Sequence, residues 1–160
     1  MRLTLWTDYA LRTLIFVGAK RGGLSTITEI AASFDISKAH LMKVVNRLGQ
    51  QGYLDTVRGK GGGIRLARSP AEIRVGAIVR ETEEDLAVMG CLAETGFCRI
   101  ERCCVLRRAL GEATLAFLRT LDGIHLSRSS GAECGTRRKL GTETRTGARG
   151  MNRIEAKPAA

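Results

Sequence analysis

The 160-residue sequence predicts a mainly α-helical fold with one small β-hairpin. Three observations carry this expectation. Apolar residues recur at helical spacing through most of the first 50 positions. Two short β-prone runs then flank the glycine-rich hexapeptide Arg58-Gly59-Lys60-Gly61-Gly62-Gly63. A long apolar stripe returns between Leu106 and Leu121, well beyond the first set.

The elements follow in order. Residues 5–20 read as a helix, with Leu11, Leu14, Ile15 and Gly18 at i, i+3, i+4 and i+7. Arg21-Gly22-Gly23 ends it. Residues 28–34 form a short second helix with Ile30 and Ala31 inward, and Asp35-Ile36 makes a tight turn. Ser37 is placed to cap a third helix over 38–51, because its hydroxyl can accept a backbone N–H left unpaired in the first turn. Leu41, Val44, Val45 and Leu48 form that helix's buried stripe; Lys43, Arg47 and Gln50 fall on another face. Gly52 stops it. Residues 53–57 and 64–66 read as paired strands joined by the basic hexapeptide. Pro70 opens a segment of short helix around Ile73, Val75, Ile78 and Val79, and residues 81–85 are acidic. Residues 91–103 show no usable period and read as a loop. A helix from 104 to about 121 carries Leu106, Ala109, Leu110, Ala113, Phe117 and Leu121 on one stripe. A stripe outside the first core usually packs on another helix, and a two-fold partner is the simplest.

Charge divides the chain in the same places. Residues 1–80 hold 13 Lys/Arg against 5 Asp/Glu, residues 81–126 hold 5 against 8, and residues 127–160 hold 8 against 3. The basic front attracts polyanions. Aromatics make up 4% of the chain, which argues against a base-stacking single-strand binder. No apolar run is long enough for a membrane span, and the N-terminus lacks a signal-peptide pattern, so the expected location is the cytoplasm. The expected organisation is a winged helix-turn-helix over 1–80, a linker and loop over 81–103, a dimerisation helix over 104–126, and a disordered basic tail over 127–160.

Short helix, tight turn, capped polar-faced helix and basic hairpin together make a double-stranded DNA reader. In such a unit the second helix enters the major groove. Lys43, Asn46, Arg47 and Gln50 supply long donors and amides for base edges; Thr28, Ser37, Lys38 and His40 stand at the helix starts. Arg58 and Lys60 on the wing reach phosphate or the minor groove. Each of these residues alone reads more readily as part of a solvated helix face. The ordered set with the wing does not. The glycine-rich tip lacks the GxxxxGK[ST] pattern and lies between strands, so it is not a nucleotide-phosphate loop.

Of five cysteines, Cys91, Cys98, Cys103 and Cys104 lie within 14 residues. In a reducing compartment such thiols are metal ligands or redox sensors rather than structural disulfides. Thiolates hold iron–sulfur clusters or zinc, and a thiolate at a helix N-terminus, as Cys104 would be, is favoured by the dipole. The spacing C-x6-C-x5-C over 91, 98 and 104 is open, as for a cluster held at one edge by a loop. No CxxC knuckle of a zinc ribbon is present. Zinc, a thiol redox switch and inert cysteines remain as alternatives. Cys103 reads as a neighbour, because adjacent residues rarely both face one metal, and Cys134 as incidental. An enzyme with a cysteine nucleophile is disfavoured: His40 and His125 are the only histidines and neither is near the cysteines in sequence.

Met1-Arg2-Leu3-Thr4, Thr7-Asp8-Tyr9-Ala10-Leu11-Arg12 and Val57-Arg58-Gly59-Lys60-Gly61-Gly62-Gly63-Ile64-Arg65-Leu66 resemble the winged-helix iron–sulfur transcription regulators of bacteria. Glu29-Ile30-Ala31, His40-Leu41-Met42-Lys43-Val44-Val45-Asn46 and Ile73-Arg74-Val75-Gly76 are similar to the branch that represses transcription until nitric oxide arrives. The resemblance spans residues 1 to about 126. It implies a homodimer on operator DNA with crossed long helices and one cluster per subunit, 2Fe–2S or 4Fe–4S. It implies three cysteine ligands, here Cys91, Cys98 and Cys104, and a carboxylate from the partner's first helix, here Asp8. Cys104 fits better than Cys103, because Cys104-Val105-Leu106 precedes the long helix as the family's third cysteine does. The sister branch, which regulates cluster-biogenesis genes, has a histidine ligand where this chain has Arg107. Two features depart from the family pattern: the longer first gap, Cys91 to Cys98, and the segment Ile124-His125-Leu126-Ser127-Arg128 with the tail after it. Asp8 is also an ordinary first-turn carboxylate favoured by the helix dipole.

Overall fold

Helix α1 (Leu5–Ala19) is the hub of the fold. The computed structural model describes residues 2–20, 23–93 and 98–129. Thr4 caps α1, its hydroxyl accepting from the Thr7 N–H at 3.3 Å. The inward face differs from the one the period suggested. Of Leu11, Leu14, Ile15 and Gly18, only Leu14 is buried; Thr7, Ala10, Thr13, Phe16 and Val17 are buried with it. The cause is packing on several sides. α1 meets α2 (Ile27–Phe34), α3 (Lys38–Gln50), β2 (Gly63–Leu66), α4 (Val75–Thr82) and α7 (Leu126–Ser129), so it has no single buried stripe.

α2 begins at Ile27, one residue earlier than predicted. Thr26 and Glu29 form a reciprocal capping box: the Thr26 hydroxyl accepts from the Glu29 N–H, and the Glu29 carboxylate accepts from the Thr26 N–H at 2.7 Å. Asp35 then adopts a left-handed conformation, φ 53°, which turns the chain into α3. The Ser37 hydroxyl accepts from the His40 N–H at 3.3 Å, as expected of its cap. Leu41, Val44, Val45 and Leu48 are buried as predicted. Gly52 ends α3 at φ 73°, a conformation that a side chain would strain.

β1 (Leu54–Val57) and β2 pair antiparallel, Leu54 opposite Leu66 and Val57 opposite Gly63. Ser25 adds a short third rung: it exchanges backbone hydrogen bonds with Ile64 at 2.8 and 2.7 Å. The wing is therefore joined to the segment before α2.

The chain returns to this unit after the long helix. α6 (Val105–Asp122) packs against α4, and Asp122 forks with Arg80 at 2.6 and 2.7 Å. Beyond it, Leu126 donates its N–H to the carbonyl of Ile73 at 2.9 Å, and Val75 donates to the carbonyl of Ile124 at 2.9 Å. Leu126 is fully buried in the same core as Leu14, Ile30 and Leu41. Of the predicted tail, residues 127–129 belong to α7; the remainder, with Cys134, lies outside the described residues.

One expectation here requires correction. The 91–103 segment is not all loop: Cys91 lies in α5 (Gly90–Ala93), one turn too short to show a period. The apolar stripe of α6 is largely uncovered within the chain. The one buried residue of α6, Leu118, lies off the stripe; on it, Leu110, Phe117 and Leu121 are half-buried, and Leu106, Ala109 and Ala113 are exposed. The described part of the chain reaches α6 mainly through α4 and α5, which do not cover that stripe. Among the described residues no helix is long and apolar enough to cross a membrane.

Candidate nucleic-acid interface and cysteine site

α3 presents the polar set the sequence singled out. Its buried side is fixed by Leu41, Val44, Val45 and Leu48, and at 100° per residue Lys43, Asn46 and Gln50 point directly away from that side. All three are exposed, as are Ser37, Lys38, His40 and Arg47, and Thr28 at the start of α2. Arg58 and Lys60 are exposed at the tip of the wing.

The set is not uniform. His40 and Arg47 lie on the edge of α3 that borders α1. The Arg47 guanidinium carbon is 5.8 Å from the centre of the Trp6 ring, and the His40 ring is 6.2 Å from that of Tyr9. Sequence reasoning also passed over Met42, which is 59% exposed on the other flank of α3. A search for donors and amides skips an apolar residue, although apolar contact suits the thymine methyl group. An exposed Met flanked by polar helix positions was the available signal.

Behind this face, Glu83 ties the first turn of α1 to the end of α4. Its carboxylate accepts from the Thr4 N–H at 2.7 Å, the Thr4 hydroxyl at 3.0 Å and the Thr7 hydroxyl. Partial burial pushes this carboxyl up, but the bonds from Thr7 and Thr4 outweigh it and hold it below the usual glutamate value. In the sequence, residues 81–85 stand out only as acidic. The contact spans 79 positions and leaves no local trace.

The cysteines gather at the mouth of α6. Cys104 is the N-cap residue, and its sulfur accepts from the Arg107 N–H at 3.4 Å. The Arg107 Nε donates to the carbonyl oxygen of Cys91 at 2.8 Å, so one residue joins α5 to α6. Cys91 and Cys104 are half-buried, Cys98 and Cys103 exposed, and all four are free thiols. The Cys103 thiol donates to the carbonyl of Ile100 at 3.4 Å within its own turn. Asp8, half-exposed on α1, pairs instead with Arg12 at 2.9 Å. Thus Cys91 and Cys104 are linked, while Cys98 and Asp8 do not join them. Among the described residues no three His, Cys, Asp or Glu side chains form a group that could hold a metal ion.

This fold, with an exposed polar helix behind a capped turn and a basic hairpin beside it, defines a winged-helix transcriptional regulator. The family model described as "Rrf2: Iron-dependent Transcriptional regulator" matches residues 3–128, and the chain belongs to that family. It is a regulator and not an enzyme. The chain is 52% identical over 124 residues to the HTH-type transcriptional regulator NsrR of Bacillus subtilis, covering 76% of this chain and 85% of that protein. It is 53% identical over 129 residues to the regulator of the same name from Geobacillus kaustophilus, covering 79% and 88%. Among solved structures, CymR, the global cysteine regulator of B. subtilis, superposes with a TM-score of 0.66 at 22% identity, covering 81% of this chain and 96% of that one. IscR of T. potens gives 0.64 at 23% identity, covering 79% and 84%. At that identity both speak for the fold alone.

Proposed function

We propose that the chain is a cytoplasmic transcriptional repressor that binds double-stranded operator DNA as a homodimer and releases it in response to nitric oxide. In this reading an iron–sulfur cluster is held by Cys91, Cys98 and Cys104, with Asp8 of the partner subunit as the fourth donor. The carrying observation is mechanical. The cysteine segment leaves the winged helix just after Glu83, and Glu83 is bonded to the turn of α1 that precedes Asp8. The end of α4, from which the chain runs on to the cysteines, the candidate carboxylate and the DNA-reading helix are thus all joined to one helix, α1.

The donor set fits such a group. Three free thiols supply soft ligands; among the described residues Cys98 stands apart from Cys91 and Cys104, so in this reading it closes in on them, and Asp8 of the partner subunit completes the set. The Asp8–Arg12 pair is no obstacle, since an exposed i,i+4 pair contributes only about 0.3–0.5 kcal/mol. The cluster would supply iron that reacts with nitric oxide. The remaining work belongs to the chain. Arg107 holds the Cys91 turn against the mouth of α6. The uncovered stripe of α6, with Leu106 57% exposed and Ala109 and Ala113 exposed beside it, provides a face for a second copy. Lys43, Asn46 and Gln50 read base edges, Met42 lies beside them, Thr28, Ser37 and Lys38 meet the backbone, and Arg58 and Lys60 contact phosphate or the minor groove. Binding of Asp8 across the dimer fixes the spacing of the two α3 helices, which must match half-sites about one DNA turn apart.

Moving an operator from mostly bound to mostly free requires about 5 kcal/mol of differential affinity, within reach of losing two cross-subunit ties. The test is Asp8→Ala alongside Cys104→Ala. Both are expected to give folded dimers with weakened, nitric-oxide-insensitive DNA binding. Retention of nitric-oxide-sensitive repression in either variant removes that residue from the ligand set.

A further inference from the structure

Two aromatic residues of α1 touch the DNA-reading helix. Trp6 and Tyr9 stand about one turn apart on α1, and they meet Arg47 and His40, two turns apart on α3. Trp6 is half-buried and Arg47 exposed, so the ring forms a floor under a guanidinium that is free above. The same Arg47 borders a cleft shared with Thr4 and the acidic residues Glu81, Glu83, Glu84 and Asp85. The first turn of α1, which Glu83 secures, therefore also determines where Arg47 can lie.

We infer that Trp6 is a positioning residue for DNA recognition: its ring holds the Arg47 guanidinium at the α1 edge of α3, and a displacement of α1 carries Arg47 out of register with the base edges. This rests on α3 being the DNA-reading helix. A planar guanidinium over an indole face is the preferred cation–π geometry, and lysine, a compact point charge, does not reproduce it. Arg47 thus carries information about the position of α1, which a purely solvated recognition arginine would not.

Trp6 is the only tryptophan of the chain, so its emission reports the contact directly. The probes are a short duplex selected from a random pool by the wild-type protein and a scrambled duplex of equal length and composition. Trp6→Leu is expected to weaken binding to the selected duplex about three- to tenfold, the size of a partly desolvated cation–π contact. It should leave scrambled-duplex binding close to wild type, with a lowered melting temperature because Trp6 also packs against the core, and Trp6→Phe should recover most of the loss of affinity. Arg47→Lys should show a similar loss, and the double variant no further loss, since the two residues act as one unit. Wild-type emission should shift on adding the selected duplex and Arg47→Lys emission should not. Additive losses, equal losses on both duplexes, or an unchanged emission response in Arg47→Lys would overturn the inference. The last comparison decides the matter even if Trp6→Leu folds poorly. If the wild-type protein enriches no sequence, the DNA-reading assignment of α3 itself falls and takes this inference with it.

Discussion

The side chain of Arg107 donates to the carbonyl oxygen of Cys91 at 2.8 Å while its backbone N–H donates to the sulfur of Cys104 at 3.4 Å. One residue therefore ties together two candidate donors that lie 13 positions apart in sequence. Neither bond uses a lone pair of the Cys91 sulfur, and the Cys104 sulfur retains others, so the tie orients donors without occupying them. Residues that orient ligands commonly contribute 10- to 100-fold to metal affinity. Arg107→Ala is expected to leave a folded dimer that loses its visible absorbance at least about tenfold faster than wild type on exposure to chelator. Equal loss rates would show that Arg107 has no part in holding the site.

The Glu83 junction gives an acid-side prediction. The folded carboxyl is held below its ordinary value of 4.5, so the bonds from Thr7 and Thr4 stabilise the fold above that value. Their contribution is lost as pH falls through the lowered folded value. Glu83→Gln should lower stability at neutral pH and flatten the acid limb of the stability profile below about 4.5. DNA affinity should fall with it, because the first turn of α1 is released. Chemical unfolding across pH, with DNA binding measured at neutral pH, checks both effects.

The α4–α6 contact admits no side chain at Gly76. A Cβ there would collide with the Asp122 carboxylate that forks with Arg80, and would stand 2.9 Å from the Asp122 backbone nitrogen. Gly76→Ala should destabilise the protein by roughly 1–3 kcal/mol, the usual cost of overpacking. A melting temperature equal to wild type would mean that α6 does not sit against α4 as described.

On the DNA face, position separates two kinds of contact. Lys60→Ala on the wing should weaken binding to all duplexes alike and reduce the salt dependence by about one charge. Asn46→Ala, which points straight out of α3, should cost about 1–3 kcal/mol on the preferred sequence and relax the preference at one position. If the two variants behave alike, the division between base-reading helix and phosphate-contacting wing is wrong.

The parts of the fold that were legible in the sequence are those with one buried side. α3 packs on one flank, so Leu41, Val44, Val45 and Leu48 stand out at helical spacing, and Ser37 marks its start. α1 is enclosed on several flanks, and there the period selected Leu11 and Ile15, which are only half-buried, over Ala10 and Val17. Thr26-Ile27-Thr28-Glu29 carried a readable capping signal that would have moved the start of α2 to its proper place. The stripe of α6 was legible, and Leu106 and Ala113 on it stand uncovered within the chain. The cysteine cluster was visible as composition. The links that give it a role, Arg107 to Cys91 and Glu83 to Thr4, join residues distant in sequence, and no periodicity records them. Asp8 came forward only through family resemblance; within the chain it is paired with Arg12.

The most direct test of the central claim is the visible spectrum of anaerobically purified protein, with iron and acid-labile sulfide assayed, and DNA binding measured before and after nitric oxide. A brown protein containing iron and sulfide, whose spectrum is bleached and whose DNA binding is lost on adding nitric oxide, is the predicted result. A colourless, zinc-loaded protein whose DNA binding ignores nitric oxide would contradict it.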